Sequence, residues 1–184
     1  DPMSTISTVV FADLTGSTSL YETLGNERAA AVVSRLTQWI GEIIQAHEGR
    51  VVKKLGDGVL GVFESANQAV FMAGEMLRSH QSHLQRWPES VRMEIRLGVA
   101  SGEVLQVDGD TYGDAVNVAS RLSDLSGPDQ ILATDVVHGN GAAEAFYAQA
   151  AGYNVEIATP PQWAAKSQAA RKKMRWVRRS PQLR

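Results

Sequence analysis

A chain of 184 residues has room for one domain with a sizeable core, with or without a tail. Its 43% hydrophobic and 21% charged content is that of a globular protein, and the complete lack of cysteine excludes disulfide scaffolds and thiolate metal sites. The net charge of −2 hides an asymmetry: eight of the eighteen basic residues lie from Lys166 onward, whereas residues 1–165 hold all twenty acidic residues and ten basic ones. An acidic body argues against a nucleic-acid partner, and the basic end reads first as a solvated tail or linker. No apolar run approaches the ~20 residues that span a bilayer, and "DPMSTIST" offers no apolar signal-peptide core, so the expectation is a cytoplasmic location, alone or as the cytoplasmic part of a larger or membrane-tethered protein.

In chain order, residues 8–12 ("TVVFA") form a β-branched and aromatic run that reads as a buried strand, ending in the turn-rich "DLTGST". From 26 to 47 the positions Val32, Val33, Leu36, Trp39, Ile40, Ile43 and Ile44 follow helical spacing, and Gly49 stands where a C-cap belongs. Residues 51–55 and 59–63 flank a Gly-Asp-Gly turn and predict a β-hairpin. Ser65 and Gln68 have the spacing of a capping box, opening a helix with a Val70, Ala73, Leu77, Leu84 stripe that stops at Trp87-Pro88. "RMEIRLGVA" (92–100) alternates as a half-buried strand, and "GEVLQV" (102–107) is expected to turn back and pair with it. Residues 114–125 predict a third helix and 131–133 a short strand; beyond Val137 the signals fade.

The order β-α-β-β-α-β is that of a ferredoxin-like sandwich, an α+β fold with a mostly antiparallel sheet and helices packed on one face. The expected division is an N-terminal extension (1–6), one catalytic-size domain (7–157) and a basic tail (158–184).

Asp13 ends the first strand and Asp57 caps the hairpin, so neighbouring strands would bring both carboxylates to one sheet edge. Two carboxylates held together repel unless a cation sits between them, and hard oxygen ligands without His or Cys point to Mg²⁺ or Mn²⁺. The turn "LTGST" offers backbone N–H groups for phosphate oxygens, although no Walker A pattern is present. Each residue alone has an ordinary reading: Asp13 as a helix cap, Asp57 as a turn residue, Lys53 as a solvated edge charge. Asn117 and Arg121, four apart, share a helix face, where an intrahelical ion pair with Asp114 or Asp124 would also account for Arg121. His80 and His83 lack an evident third ligand for a metal site.

Together, "FADLTGST", "KKLGDGVLGVF" and "GDTYGDAVNVASRL" resemble the signatures of class III adenylyl and guanylyl cyclase catalytic domains, in the family's order and over residues 8 to 135. The resemblance implies that Asp13, Asp57 and the Leu14 backbone carbonyl hold two divalent metals (Mg²⁺ or Mn²⁺), and that Thr15, Gly16, Ser17 and Thr18 meet the triphosphate. It implies that Lys53 and Asp110 read the purine, that Asn117 orients the ribose, and that Arg121 stabilises charge on the α-phosphate. The implied reaction is in-line attack of the ribose 3′-hydroxyl on the α-phosphorus, with metal ions assisting the attacking and leaving oxygens.

Adenine offers an acceptor at N1 and donors at N6, which complement a donor-only Lys53 and an acceptor-only Asp110, so ATP is the expected substrate. The family implies a homodimer with two interfacial sites, metal aspartates from one protomer and the purine pair, Asn117 and Arg121 from the other. It also implies a regulatory or sensor domain in the full-length protein. Ser17 departs from the aromatic found there in many members, and the short 98–110 stretch suggests a reduced dimer arm, as in a bacterial subgroup. The alternatives are a guanylate cyclase, or a catalytically silent module that binds nucleotide or dimerises.

Overall fold

The computed structural model describes residues 3–128 and 130–134, together with the backbone of 154–158 and 176–178. The elements are β1 (Met3–Thr15), α1 (Ser17–Leu24), α2 (Asn26–Ala46), β2 (Arg50–Leu55), β3 (Gly58–Phe63), α3 (Ala66–Arg86), a 3₁₀ turn (Glu89–Val91), β4 (Glu94–Val107), β5 (Asp110–Tyr112), α4 (Asp114–Leu125), β6 (Gln130–Thr134), β7 (Asn154–Ala158) and β8 (Trp176–Arg178). They form one sheet of order β2-β3-β1-β4-β6-β7-β8, with β5 paired to β4. The pairings among β1 to β5 are antiparallel, whereas β6 runs parallel to β4 and β7 parallel to β6. This is the mixed α+β sandwich expected from the order of elements.

Alternation along the strands sorts the side chains between two cores. Val10, Ala12, Leu14, Val59, Phe63, Ile95, Leu97 and Val99 face α2 and α3, which contribute Ile40, Ile44, Met72, Met76 and Leu77, each fully buried. Each such side chain contributes about 1.5–3 kcal/mol on burial. Val9, Leu60, Val62, Ala100 and Val104 point the other way, against Ala115 and Ala119 of α4. The helices therefore do not share one face: α2 and α3 cover one side, and α4 covers the other. The reason is the parallel β4-α4-β6 crossover, which needs its helix on a face that α2 and α3 leave free. Gly98 permits the close seat of α4, since a Cβ there would stand 2.1 Å from Ala119 O and 2.5 Å from Ser123 N.

Several sequence expectations are refined. "GEVLQV" does not fold back on 92–100 but continues β4, whose fourteen residues pair along β1 from Glu94 opposite Thr15 to Gln106 opposite Met3. Gly102 makes no turn; the turn falls at Asp108 (φ 51°) and Gly109 (φ 80°), an Asp-Gly pair with the positive φ values of a type I′ hairpin turn. Past the end of α2 it is Glu48, not Gly49, that takes a positive φ (66°). Gly49 is required for space instead, because a Cβ would meet Phe63 Cζ at 2.5 Å. Ser65 does cap α3, accepting from the Gln68 backbone N–H at 3.3 Å. The strand expected over 8–12 runs from Met3 to Thr15, and α1 and β8 are elements the sequence reading did not separate. His138 and most of the basic end lie outside the described residues. Among the described residues, no helix is long and apolar enough to cross a membrane.

Candidate active site

Val9 and Phe11 of β1 face α4, and Asp13 continues that row toward the end of the strand. Its strand neighbours are Gly58 on β3 and Arg96 on β4. Asp57 occupies the two-residue turn between β2 and β3, where Gly56 takes the positive φ (59°) that a primed turn demands of its first central residue. The Asp57 carbonyl accepts the Leu14 backbone N–H at 2.9 Å, tying the turn to β1 beside Asp13. A Cβ at Gly58 would meet Phe11 Cε1 at 2.8 Å and Asp13 Oδ1 at 3.3 Å, so glycine keeps that approach open.

This edge is crowded with negative charge. Burial, with the carboxylates of Asp124 and Asp57, pushes the Asp13 carboxyl up to about 6, while Arg96 and the Leu14 backbone N–H pull it down. Asp124 arrives there because Ser123, the residue before it, sits over Gly98, two positions along the same face of β4 from Arg96. The Nε of Arg96 is buried and has no hydrogen-bond partner among the described residues. A carboxylate that resists ionising beside two others has the electrostatics of a site completed by a cation. Its donors are oxygens only, the set that suits Mg²⁺ or Mn²⁺.

The segment Leu14–Thr18 divides between two elements. Leu14 and Thr15 are the end of β1, where Thr15 Oγ1 donates to Glu94 O at 3.5 Å. Gly16 is the N-cap of α1, and Ser17 and Thr18 are its first residues. Among the described residues no side chain caps this helix, which leaves its first-turn N–H groups to an anion next to the acidic edge.

Lys53 and Asp110 are 57 residues apart in sequence and meet as an ion pair, Nζ to Oδ2 at 2.9 Å. The second carboxylate oxygen accepts the Thr111 backbone N–H at 2.8 Å. The Lys53 hydrogen bond and that N–H hold the Asp110 carboxyl below the usual carboxylate range. Both side chains remain partly exposed, at 39% and 28%, so the pair presents a donor and an acceptor to whatever docks on it. On α4, Asn117, Arg121 and Asp124 recur at i, i+4 and i+7 and are exposed.

The structure thus brings Asp13 to Asp57 and Lys53 to Asp110, and sets Asn117 and Arg121 on one helix face. The sequence reading did not place Arg96 and Asp124 at this edge. Both left a signal: Arg96 alternates onto the same face as Asp13 once β1 and β4 are aligned antiparallel, and Asp124 continues the Asn117–Arg121 face. His80, by contrast, is a core residue, fully buried, with Nε2 against Met93 O and Nδ1 3.2 Å from His83 Nδ1.

The family model described as "Adenylate and Guanylate cyclase catalytic domain" matches residues 2–166. An adenylate cyclase of Streptomyces coelicolor is 35% identical over 67% of this chain and 31% of its own length. An adenylate cyclase of Glutamicibacter nicotianae is 34% identical over 76% of this chain and 33% of its own. The chain spans between about a sixth and a third of the length of the curated relatives it matches. Among solved structures, the adenylate/guanylate cyclase/hydrolase of Silicibacter pomeroyi superposes with a TM-score of 0.69 at 32% identity, covering 78% of this chain and 84% of that one. The chain belongs to the adenylate and guanylate cyclase catalytic domain family, a class III cyclase domain.

Proposed function

We propose that this domain converts ATP to 3′,5′-cyclic AMP and pyrophosphate at two equivalent sites formed between two copies of the chain. The observation that carries the reading is the Lys53–Asp110 pair, a preformed donor and acceptor that complements the N1 and N6 edge of adenine. Guanine would set its O6 acceptor against Asp110 and its N1–H against Lys53, two mismatches that a base-reading pair rejects strongly.

The family generally works with divalent metals, and the oxygen-only, over-negative edge at Asp13 and Asp57 fits them. In this reading Asp13, Asp57 and the Leu14 carbonyl hold two Mg²⁺ or Mn²⁺ ions. When bound, such ions acidify the ribose 3′-hydroxyl and balance the charge of the triphosphate. The N–H groups at Gly16, Ser17 and Thr18 receive phosphate oxygens, with Thr15 at the rim. Asn117 fixes the ribose so that the 3′-oxygen lies in line with the α-phosphorus. Arg121 offers a donor fork to the charge that grows there as pyrophosphate leaves.

Asn117 and Arg121 lie exposed on α4, as residues that complete a partner's site would be. The arm built from β4 and β5 is short, three residue pairs from Leu105–Tyr112 to Val107–Asp110, and carries the exposed apolar side chains Leu105, Val107 and Tyr112. Those features support a symmetric homodimer. The catalytic unit is taken as residues 7–157. The greater length of the relatives supports a catalytic module joined to a regulatory or sensor domain, and the cytoplasm is the location that this reading gives it.

The test is incubation with ATP and Mg²⁺ or Mn²⁺ and detection of cyclic AMP and pyrophosphate. Product from GTP in preference to ATP would replace this reading by a guanylate cyclase. No product from either nucleotide, with the dimer confirmed, would replace it by a silent nucleotide-binding module.

A further inference from the structure

We propose that Arg50 is a positioning residue for the Lys53–Asp110 pair, and through it a determinant of base selection. The functional consequence rests on the base-reading role given to that pair above. The structural argument begins with an irregularity in β2. Arg50 lies opposite Val62 and Val51 opposite Gly61, but Lys53 lies opposite Leu60, so Val52 is an extra residue in a β-bulge. In a regular strand, residues 50 and 53 would point to opposite faces. The bulge returns both to the face of Leu60 and Val62, the side on which β5 lies.

Among the described residues β5 pairs with β4 alone, and no ladder joins it to β2. Two side-chain bridges span that gap. One is Lys53 Nζ to Asp110 Oδ2 at 2.9 Å. The other is Arg50, whose Nη2 donates to Thr111 Oγ1 at 3.2 Å and to Gln106 Oε1 at 2.5 Å. Thr111 is the cross-strand partner of Gln106, so the guanidinium fastens a β4–β5 pair to β2. The Thr111 N–H in turn holds Asp110 Oδ1 at 2.8 Å. The bonds close a ring: Arg50 to Thr111, Thr111 to Asp110, Asp110 to Lys53, and back along β2. Thr111 is 2% exposed, which fixes its rotamer and makes it a rigid anchor, whereas Lys53 ends a flexible four-carbon stem. Without Arg50, the side-chain bridge that remains across the gap among the described residues is that flexible lysine.

The test uses the full chain in two arms. In the first, carboxyl carbon NMR follows the titration of Asp110 in wild type, Arg50→Met and Thr111→Val. Thr111→Val keeps every charge in place and removes only the acceptor on β5. Both variants are expected to move the Asp110 carboxyl upward, back toward the ordinary carboxylate range, as its Lys53 bond loosens. In the second arm, KM for ATP is expected to rise about tenfold in Arg50→Met and about fivefold in Thr111→Val, with kcat within about twofold and the preference for ATP over GTP reduced. Unchanged Asp110 titration in both folded variants overturns the proposal, as does a loss of kcat that merely tracks a lower Tm. If wild type makes no cyclic nucleotide, the cyclase reading falls and the NMR arm alone decides whether Arg50 positions the pair.

Discussion

The two ends of one hairpin treat charge in opposite ways. At the β2–β3 turn, Asp57 joins Asp13 and Asp124, and burial together with the two neighbouring carboxylates leaves the Asp13 carboxyl raised to about 6. Three residue pairs back along the strand, Lys53 meets Asp110 in a satisfied ion pair whose carboxyl is lowered. One end carries uncompensated negative charge; the other is already paired. On the proposed function, stability is given up where the chemistry needs charge and kept where recognition needs geometry.

The largest expected effect comes from emptying the incomplete end. Asp57→Ala or Asp13→Ala should lower cyclic AMP formation by about a thousandfold or more, measured as initial rate, with the fold retained. Gly98→Ala should come next, and through stability. A methyl group 2.1 Å from Ala119 O lifts α4, with Asn117, Arg121 and Asp124, from the sheet at a cost of about 2–3 kcal/mol, read by urea unfolding. At the satisfied end, Lys53→Ala should lower turnover of ATP to background through loss of base recognition and return the Asp110 carboxyl toward its usual range, with little change in Tm.

The smallest effect has the more telling sign. A carboxyl raised in the folded state binds its proton more tightly there than in the unfolded chain. The metal-free protein therefore loses stability as pH rises from about 4 through about 6. Asp13→Asn should remove that penalty and stabilise the metal-free protein at pH 7 by about 1 kcal/mol, allowing for solvent screening, while abolishing activity. A drop in Tm for this variant would mean that the edge is not strained.

The contrast also explains what the sequence disclosed. Periodicity found α2, α3, α4 and the β2–β3 hairpin, because each obeys a local rule. It misread "GEVLQV", since Gly102 has the identity of a turn residue but the ladder with β1 carries it as extended strand. It put the helices on one face, because chain order alone does not say which side a parallel crossover takes. The paired residues Asp13, Asp57, Lys53 and Asp110 were visible through their motifs. Arg96, Asp124 and Arg50 were not, as their roles depend on strand register, on where α4 ends over Gly98, and on a bulge at Val52 that no residue type announces.

The central claim is that the hairpin serves two active sites, Asp57 in one and Lys53 in the other. Mixing inactive Lys53→Ala protein with inactive Asp57→Ala protein tests it directly. Random exchange makes half the dimers mixed, each with one intact site, so activity should return to about a quarter of wild type. A mixture as inactive as its components, with subunit exchange verified, would contradict the account.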